Sequence, residues 1–294
     1  MLWSLWACQP VAESTQTHLW VEEVSEPIYF AGDLIHPVDF MVWEDGFLVA
    51  DAGHEALMYV EGDEVSVYAD DIVEPTALVS GTESYLFTAE EIYLIDTQGN
   101  VEIVLDERES PSAPVLFEEG LYWLEQGGLF QLKNGVAEEL LSDLPDPYDL
   151  IVWEDLLWFT TQQDKAIWNY DRIQDPIQVH SFPEIPHRLA ADIDQLWVST
   201  RSSRWPYGGW IASFDEDNFD RQTQSPPEAE QIIAFDEGVI WASKQTIAYW
   251  TAEPYTSVAL QVMVSSMHIV GEELFWSDRQ GGRLGRINMG VFLD

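Results

Sequence analysis

Cysteine is almost absent from this chain, which has one such residue, Cys8, among its 294 residues. A single cysteine excludes an intrachain disulfide, so the fold has to be stabilised by packing rather than by covalent cross-links. Long apolar runs are also missing, since no later segment reaches the roughly 18 apolar residues that a membrane-spanning helix needs. The main body of the chain lacks the helical period of apolar residues as well, which favours an all-β fold.

Basic residues are scarce, because 12 Lys and Arg stand against 53 Asp and Glu and leave a formal net charge of −41. Such a charge repels nucleic acid and anionic membrane surfaces, so we expect no nucleic-acid partner. The repulsion also strains the compact state, and salt or divalent cations should stabilise it by screening. Apolar residues still make up 46% of the chain, enough for a large globular core.

Seven repeats run through the chain, each with a short apolar strand, an acidic or Gly turn and a second strand centred on a large apolar residue. The segments are FMVWEDGFLVAD, ALVSGTESYLFTAE, PVLFEEGLYWLEQ, DLIVWEDLLWFTT, RLAADIDQLWVSTR, IIAFDEGVIWASK and MHIVGEELFWSDR. Aligning them puts seven large residues 35 to 44 positions apart in one slot: Val49, Phe87, Trp123, Trp158, Trp197, Trp241 and Trp276. Even spacing of such bulky side chains predicts seven similar small sheets.

Each repeat continues with a third and a fourth strand, which is the content of one propeller blade. The seventh repeat ends after its third strand, while an unused β-rich segment, HLWVEEV, lies at residues 18–24. We expect this segment to supply the missing outer strand, because closing the ring removes an unpaired edge. The sequence thus predicts an all-β, seven-bladed β-propeller over residues 18–294, closed by an N-terminal strand that completes the last blade.

Two repeats carry a family resemblance. The first, HPVDFMVWEDGFLVADAGHEALMYV, resembles an NHL-type propeller repeat, and the last, LFWSDRQGGRLGRI, is similar to a YWTD-type repeat. The resemblance implies a propeller of the kind found in bacterial lipoproteins, and it implies no activity. Similar repeats occur in calcium-dependent lactonases and streptogramin lyases, whose ion-binding residues have no position-by-position match in this sequence.

The N-terminus resembles a bacterial lipobox, in which a small residue precedes a cysteine that becomes lipidated. Leu5, Trp6 and Ala7 lead to Cys8, and polar residues follow it as a flexible tether. Residues 1–17 are therefore interpreted as a truncated signal, lipobox and tether. We expect a monomeric domain in the bacterial cell envelope, periplasmic or on the outer surface, attached to the membrane only by lipidated Cys8.

The loops that join second to third strands share one face of a propeller with the mouth of its central channel. Seven of the 12 basic residues map to that face or its rim, all in repeats four to seven: Lys165, Arg188, Arg201, Arg204, Lys244, Arg279 and Arg283. The longest of these loops adds Trp205 and Tyr207. Arg beside aromatic residues is typical of protein and sugar recognition, so we predict that these nine residues bind a protein, peptide or glycan partner without a cofactor. Ion pairs with neighbouring carboxylates are the alternative, for example between Arg279 and Asp278.

A second set of residues shares one aligned position at the entrance of each first strand, where we expect them to line the channel mouth: Asp39, Ala77, Ala113, Tyr148, His187, Gln231 and Ser266. Hydration of the channel is one interpretation; the other is a hydrolase or lyase that uses His187 and Asp39, with a divalent cation such as calcium. His268 replaces an aliphatic residue and is interpreted as a hydrogen-bonded core histidine. Asp215, Asp217 and Asp220 lack the Gly of a calcium loop and predict a hairpin turn. No complete catalytic motif is present.

Overall fold

The computed structural model describes residues 26–118, 120–202, 209–215, 218–224, 229–243, 246–250, 256–260 and 262–292. Several predictions lie outside these residues, namely those on the segment 18–24 and on Cys8, Arg204, Trp205, Tyr207 and Lys244. The described residues form seven antiparallel sheets of four strands each, which confirms the seven-bladed β-propeller. Among them, no helix is long and apolar enough to cross a membrane.

Blades 1 to 3 follow one another along the chain, and strand β1 (Ile28–Phe30) precedes them. Blade 1 contains β2 (Pro37–Trp43), β3 (Gly46–Asp51), β4 (Ala56–Glu61) and β5 (Glu64–Ala69). Blade 2 contains β6 (Pro75–Ser80), β7 (Ser84–Thr88), β8 (Ile92–Ile95) and β9 (Val101–Leu105). Blade 3 contains β10 (Ser112–Phe117), β11 (Gly120–Glu125), β12 (Gly128–Lys133) and β13 (Val136–Leu141).

Blades 4 to 7 complete the ring with the same order of strands. Blade 4 contains β14 (Pro147–Trp153), β15 (Leu156–Thr161), β16 (Ala166–Tyr170) and β17 (Ile177–Ser181). Blade 5 contains β18 (Ile185–Ala191), β19 (Leu196–Arg201), β20 (Trp210–Asp215) and β21 (Asn218–Gln224). Blade 6 contains β22 (Gln231–Phe235), β23 (Gly238–Ala242), β24 (Thr246–Trp250) and β25 (Thr256–Leu260). Blade 7 contains β26 (Val264–Val270), β27 (Glu273–Asp278) and β28 (Arg283–Asn288), and a short 3-10 helix (Met289–Phe292) follows it.

The ring is closed by β1, which pairs antiparallel with β28 as the outer strand of blade 7. An N-terminal closing strand was predicted, but its assignment to residues 18–24 was wrong, since Ile28–Phe30 forms it. Aromatic contacts favour this tripeptide: Tyr29 meets Trp276 edge-on at 6.0 Å, and Phe30 meets Phe275 at 6.2 Å between ring centroids. These edge-to-face contacts thus stabilise a short strand that makes only a few backbone hydrogen bonds.

The seven large residues predicted for one slot are all buried, but they occupy three consecutive positions of the second strands. Four of them pack against the preceding blade: Val49, Trp123, Trp241 and Trp276. The other three pack against the following blade: Phe87, Trp158 and Trp197. A blade is covered on both faces, so consecutive residues of its second strand are buried and the apolar pattern does not fix the register.

A carboxylate at the end of the second strand fastens three blades to the connectors beside them. Asp51 accepts hydrogen bonds from the amides of Ile35 (2.7 Å), His36 (2.8 Å) and Gly53 (2.9 Å). Its carboxylate is also 3.0 Å from His54 Nδ1. Burial acts to raise the pKa of Asp51, but the hydrogen bonds from His54 and the three amides outweigh it and hold that pKa below its usual value. Glu125 and Asp278 occupy the same place in blades 3 and 7.

β20 and β21 pair antiparallel with Asp215 opposite Asn218, as the hairpin predicted for the acidic segment of blade 5 requires.

Candidate functional site

The channel mouth lies where the turns between second and third strands meet the connectors between blades. A cavity of about 700 Å³, the mouth cavity, is lined there by residues that include Glu74, Thr76, His187, Arg201 and Arg279. Below it, a second cavity of about 430 Å³, the channel cavity, is lined by residues that include Asp39, Ala77, Ala113, Ser266 and His268. Tyr148, Arg188, Gln231 and Ser265 line both cavities, so the two form consecutive parts of one channel.

The residues at the entrance of the first strands form a ring around this channel. By strand register, equivalent positions are Asp39, Ala77, Ala113, Asp149, Arg188, Gln231 and Ser266. The sequence alignment was therefore wrong by one residue in blades 4 and 5, where it placed Tyr148 and His187. A bulge interrupts most of the first strands near this point and obscures the count. Tyr148 and His187 nevertheless line the mouth cavity.

Asp149, which is buried, and Arg188, which is partly buried, form an ion pair between blades 4 and 5. Arg188 Nη1 lies 3.0 Å from Asp149 Oδ1, and the amide of Leu189 donates to Asp149 Oδ2 at 2.7 Å. Burial acts to lower the pKa of Arg188, but the Asp149 carboxylate more than offsets this, so the net shift is upward and the guanidinium stays charged. Removing either partner would leave the other charge without a counter-ion in a poorly hydrated place, which is unfavourable.

Arg188 is held in place on three sides. Its Nε donates to the Glu230 carbonyl at 3.0 Å, and its guanidinium carbon lies 5.0 Å from the centroid of the Tyr148 ring. Tyr148 in turn stacks on His187, with 4.3 Å between centroids and 25° between planes. Among the described residues, no hydrogen bond is made by Arg188 Nη2. A fixed guanidinium that lines a cavity with donors to spare can bind an anion.

Hydrogen bonds continue around the ring from blade 6 to blade 1. Gln231 Nε2 donates to the Ser265 carbonyl at 2.7 Å, and Ser265 Oγ donates to the Pro37 carbonyl at 2.8 Å. The wall formed by blades 2 and 3 differs, because Ala77 and Ala113 stand at its ring positions. The channel therefore has a polar side and an apolar side.

Asp39 meets His268 and Ser266 in the channel cavity. His268 Nε2 lies 3.2 Å from Asp39 Oδ1 and 3.0 Å from Ser266 Oγ. These are the residue types of a nucleophilic triad, but both contacts use the same ring nitrogen. A histidine relays a proton from serine only when its two nitrogens face the two partners, so this arrangement lacks that geometry.

The expectation of a core position for His268 was wrong, although its hydrogen bonding was as expected. Its side chain is 42% exposed and lines the channel cavity. The predicted catalytic pair also differs from the pair that the structure brings into contact. Asp39 contacts His268, whereas His187 Nδ1 contacts the Ala229 carbonyl at 3.1 Å.

The predicted basic residues divide into two groups. Arg188, Arg201 and Arg279 line the mouth cavity together. Lys165 and Arg283 are engaged elsewhere. Lys165 Nζ donates to the Pro183 carbonyl at 3.0 Å, and Arg283 lies 3.1 Å from Asp278 and 3.7 Å from the centroid of the Tyr29 ring.

The alternative ion pair of Arg279 with Asp278 does not form. Asp278 binds Arg283 instead, and it accepts the amides of Met263 (3.3 Å) and Gly281 (3.0 Å). No carboxylate of the described residues lies within 4.0 Å of Arg279. Its charge therefore remains available at the mouth cavity.

Within the described ranges, no three His, Cys, Asp or Glu side chains are close enough together to hold a metal ion. Asp39 and His268 make a pair only, with Ser266 as their third neighbour.

Two residues of the site escaped the sequence analysis. Asp149 was passed over because the alignment chose Tyr148, and His268 was assigned to the core. A signal for Asp149 was present, since Pro37-Val38-Asp39 recurs as Pro147-Tyr148-Asp149. Both aspartates accept the amide of the residue three beyond the corresponding Pro in the next blade, Leu78 and Leu189.

No protein-family model matches this sequence, and no curated protein matches it. In three dimensions the chain is similar to virginiamycin B lyase from Staphylococcus aureus, with a TM-score of 0.68 and 13% identity over 90% of this chain and 98% of that one. It is also similar to the extracellular domain of a putative hybrid two-component system from B. thetaiotaomicron, with a TM-score of 0.72 and 11% identity over 89% of this chain and 39% of that one. The structural similarity establishes the shared fold, a β-propeller. At such low sequence identity it says nothing about the activity of this chain.

Proposed function

We propose that this protein is a recognition module that binds an anionic group of a protein, peptide or glycan partner at the mouth of its channel. The observation that carries the proposal is the convergence of Arg188, Arg201 and Arg279 on one cavity of about 700 Å³. The chain has only 12 basic residues against 53 acidic ones, so the clustering of three of them at one cavity is the main exception to its acidic charge.

A carboxylate-bearing partner suits the site because Arg binds carboxylates in a bidentate manner, and because a pre-oriented guanidinium loses little freedom on binding. Arg188 is oriented by Asp149 and the Glu230 carbonyl before any ligand arrives. Glu74 and Glu230 also line the cavity, so a densely anionic polymer would be repelled there. The proposal therefore concerns a ligand with one or two anionic groups and excludes nucleic acid.

A peptide-display selection and a glycan array would test this function with defined probes. We expect selected ligands to carry carboxylates, and we expect the double variant Arg201→Glu, Arg279→Glu to weaken their binding by about tenfold or more. Lys133→Glu is the matched control, because Lys133 ends β12 at the turn to β13, on the opposite face of the ring. Equal binding by the double variant and the control would contradict the proposal.

The cellular location of the protein is part of the same proposal. We infer a bacterial envelope protein anchored through a lipid on Cys8, supported by the lipobox-like residues Leu5 to Cys8. The similarity to the extracellular domain of a two-component system is compatible with this location. Mass spectrometry of the mature N-terminus should find a diacylglyceryl cysteine, and an unmodified Cys8 would contradict the anchor.

A hydrolase or lyase is the second candidate, and the contact between Asp39 and His268 in the channel cavity is the observation that favours it. A carboxylate beside an imidazole can move protons during catalysis. Under this reading Asp39, predicted as catalytic with His187, would act with His268 instead, with or without a divalent cation such as calcium. Ester and lactone turnover that is lost in His268→Gln would support the enzyme; turnover that is retained would remove His268 from it.

A further inference from the structure

We propose that the channel selects a bipolar ligand, whose carboxylate binds Arg188 and whose primary ammonium binds Asp39 across a short apolar spacer. This inference rests on the proposed function, which it narrows from anionic ligands in general to one chemical class. It assigns the channel cavity a binding role that is separate from the contacts made at the mouth.

Arg188 is the residue that would bind the anionic end of the ligand. Its Nε and Nη1 are occupied by Glu230 and Asp149, while Nη2 makes no hydrogen bond with the described residues. The guanidinium lines both cavities, so a carboxylate that enters from the mouth reaches it first at the junction of the two. A side chain so constrained binds one carboxylate in one orientation.

The cationic end is set by Asp39. Among the described residues, its Oδ2 accepts only the Leu78 amide at 2.8 Å, and a carboxylate oxygen has room for a second donor. Asp39 lines the channel cavity from blade 1, on the far side of the ring from Arg188 in blade 5. Burial acts to lower the pKa of Arg188, while Asp149, Tyr148 and, more weakly, the Asp39 carboxylate raise it, so Asp39 acts on Arg188 across the channel.

On the side of blades 2 to 4, much of the wall between these two ends is apolar. Ala77, Ala113, Pro114 and Pro147 line the channel cavity from blades 2 to 4. A methylene spacer would bury its surface there, while charged groups on the spacer would lose hydration without a partner. A volume of about 430 Å³ is within the range of small-ligand sites.

Calorimetry with ω-amino acids of increasing length, from glycine to 6-aminohexanoate, tests the inference against the matched alkyl carboxylates and alkylamines. One length should bind about tenfold tighter than the carboxylate of equal length, because the ammonium adds a charge-assisted hydrogen bond. Carboxylates that bind as tightly at every length would overturn the bipolar ligand and leave anion recognition standing. If neither series binds, the channel site is refuted, while the peptide and glycan test of the mouth keeps its own outcome.

The variant Asp39→Asn supplies the second arm of the test. It should remove the advantage of the best ω-amino acid over the matched carboxylate, and it should not weaken the binding of the carboxylate itself, because it removes a repelling charge. Asp63→Asn is the matched control, since Asp63 lies in the turn between β4 and β5 on the opposite face. If Asp39→Asn fails to fold, the length series on the unaltered chain still decides the question.

Discussion

The carboxylate of Asp149 accepts a hydrogen bond of 2.7 Å from the backbone amide of Leu189 and so joins blade 4 to blade 5 at the inner end of both. Asp39 joins blade 1 to blade 2 in the same way, through the amide of Leu78 at 2.8 Å. Asp39 itself lines the channel cavity, and Asp149 contacts Arg188, which also lines it. Stability of the ring and the geometry of the candidate site thus depend on the same carboxylates.

Replacing Asp149 by Ala should therefore destabilise the protein strongly. The change leaves the partly buried Arg188 guanidinium and the buried Leu189 amide without their partner, and breaking a buried pair on one side costs up to about 3–5 kcal/mol. Urea denaturation measures the loss. Glu138→Ala is the control, because the Lys133–Glu138 pair at 2.9 Å is largely exposed and should contribute about 0–1 kcal/mol. Similar losses in both variants would show that Asp149 has no special role.

The stability contributed by Asp51 should depend on pH. Its pKa is lowered in the folded state, so the ionised carboxylate stabilises the fold above the unfolded pKa of about 3.9, and this is lost as pH falls through the folded value. Asp51→Asn should cost about 1–3 kcal/mol at neutral pH, and the difference from the unaltered protein should shrink below about pH 4. A difference that stays constant from pH 7 to pH 3 would contradict the assignment.

Gly285 is required by the close approach of its strand to Trp276. A Cβ at position 285 would lie 2.3 Å from an indole carbon of Trp276, which is fully buried. Gly285→Ala should cost about 1–3 kcal/mol through overpacking, and Trp276→Phe should relieve part of that cost in the double variant. Gly32→Ala is the control, since no heavy atom lies within 4 Å of its added Cβ. Additive effects of the Gly285 and Trp276 changes would refute the contact.

The closing strand gives a prediction about solubility. Deleting Ile28–Phe30 would uncover the outer edge of β28 and remove the ring contacts of Tyr29 and Phe30. We expect a lower unfolding temperature and concentration-dependent aggregation, because an unpaired edge strand pairs with other chains. Light scattering at several protein concentrations measures this. A shortened chain that stays monomeric and equally stable would show that β1 is dispensable.

The fold could be predicted from the sequence because each blade carries a large buried residue, and residues such as Trp241 and Trp276 recur at regular distances. The register within the blades could not be predicted, since both faces of the second strands are buried and adjacent residues such as Trp158 and Phe159 are equally apolar. The closing strand was also placed too early, because residues 18–24 and Ile28–Phe30 are both β-rich and only tertiary contacts with Trp276 and Phe275 distinguish them.

The candidate site could be predicted only in outline. Charge counting located Arg188, Arg201 and Arg279 on one face, and the structure brings all three to the mouth cavity. Charge counting could not show that Arg283 is held by Asp278 and Tyr29, because these partners come from the end of β27 and from the closing strand. Nor could it pair Asp39 with His268, which are 229 residues apart in sequence and adjacent only once the ring closes.

A crystal structure with a carboxylate ligand from the peptide or glycan selection tests the central claim most directly. The account predicts that the anionic group of the ligand lies in the mouth cavity, within hydrogen-bond distance of Arg188, Arg201 or Arg279. A ligand bound at the outer strands or on the opposite face, with the mouth cavity filled by solvent, would contradict it.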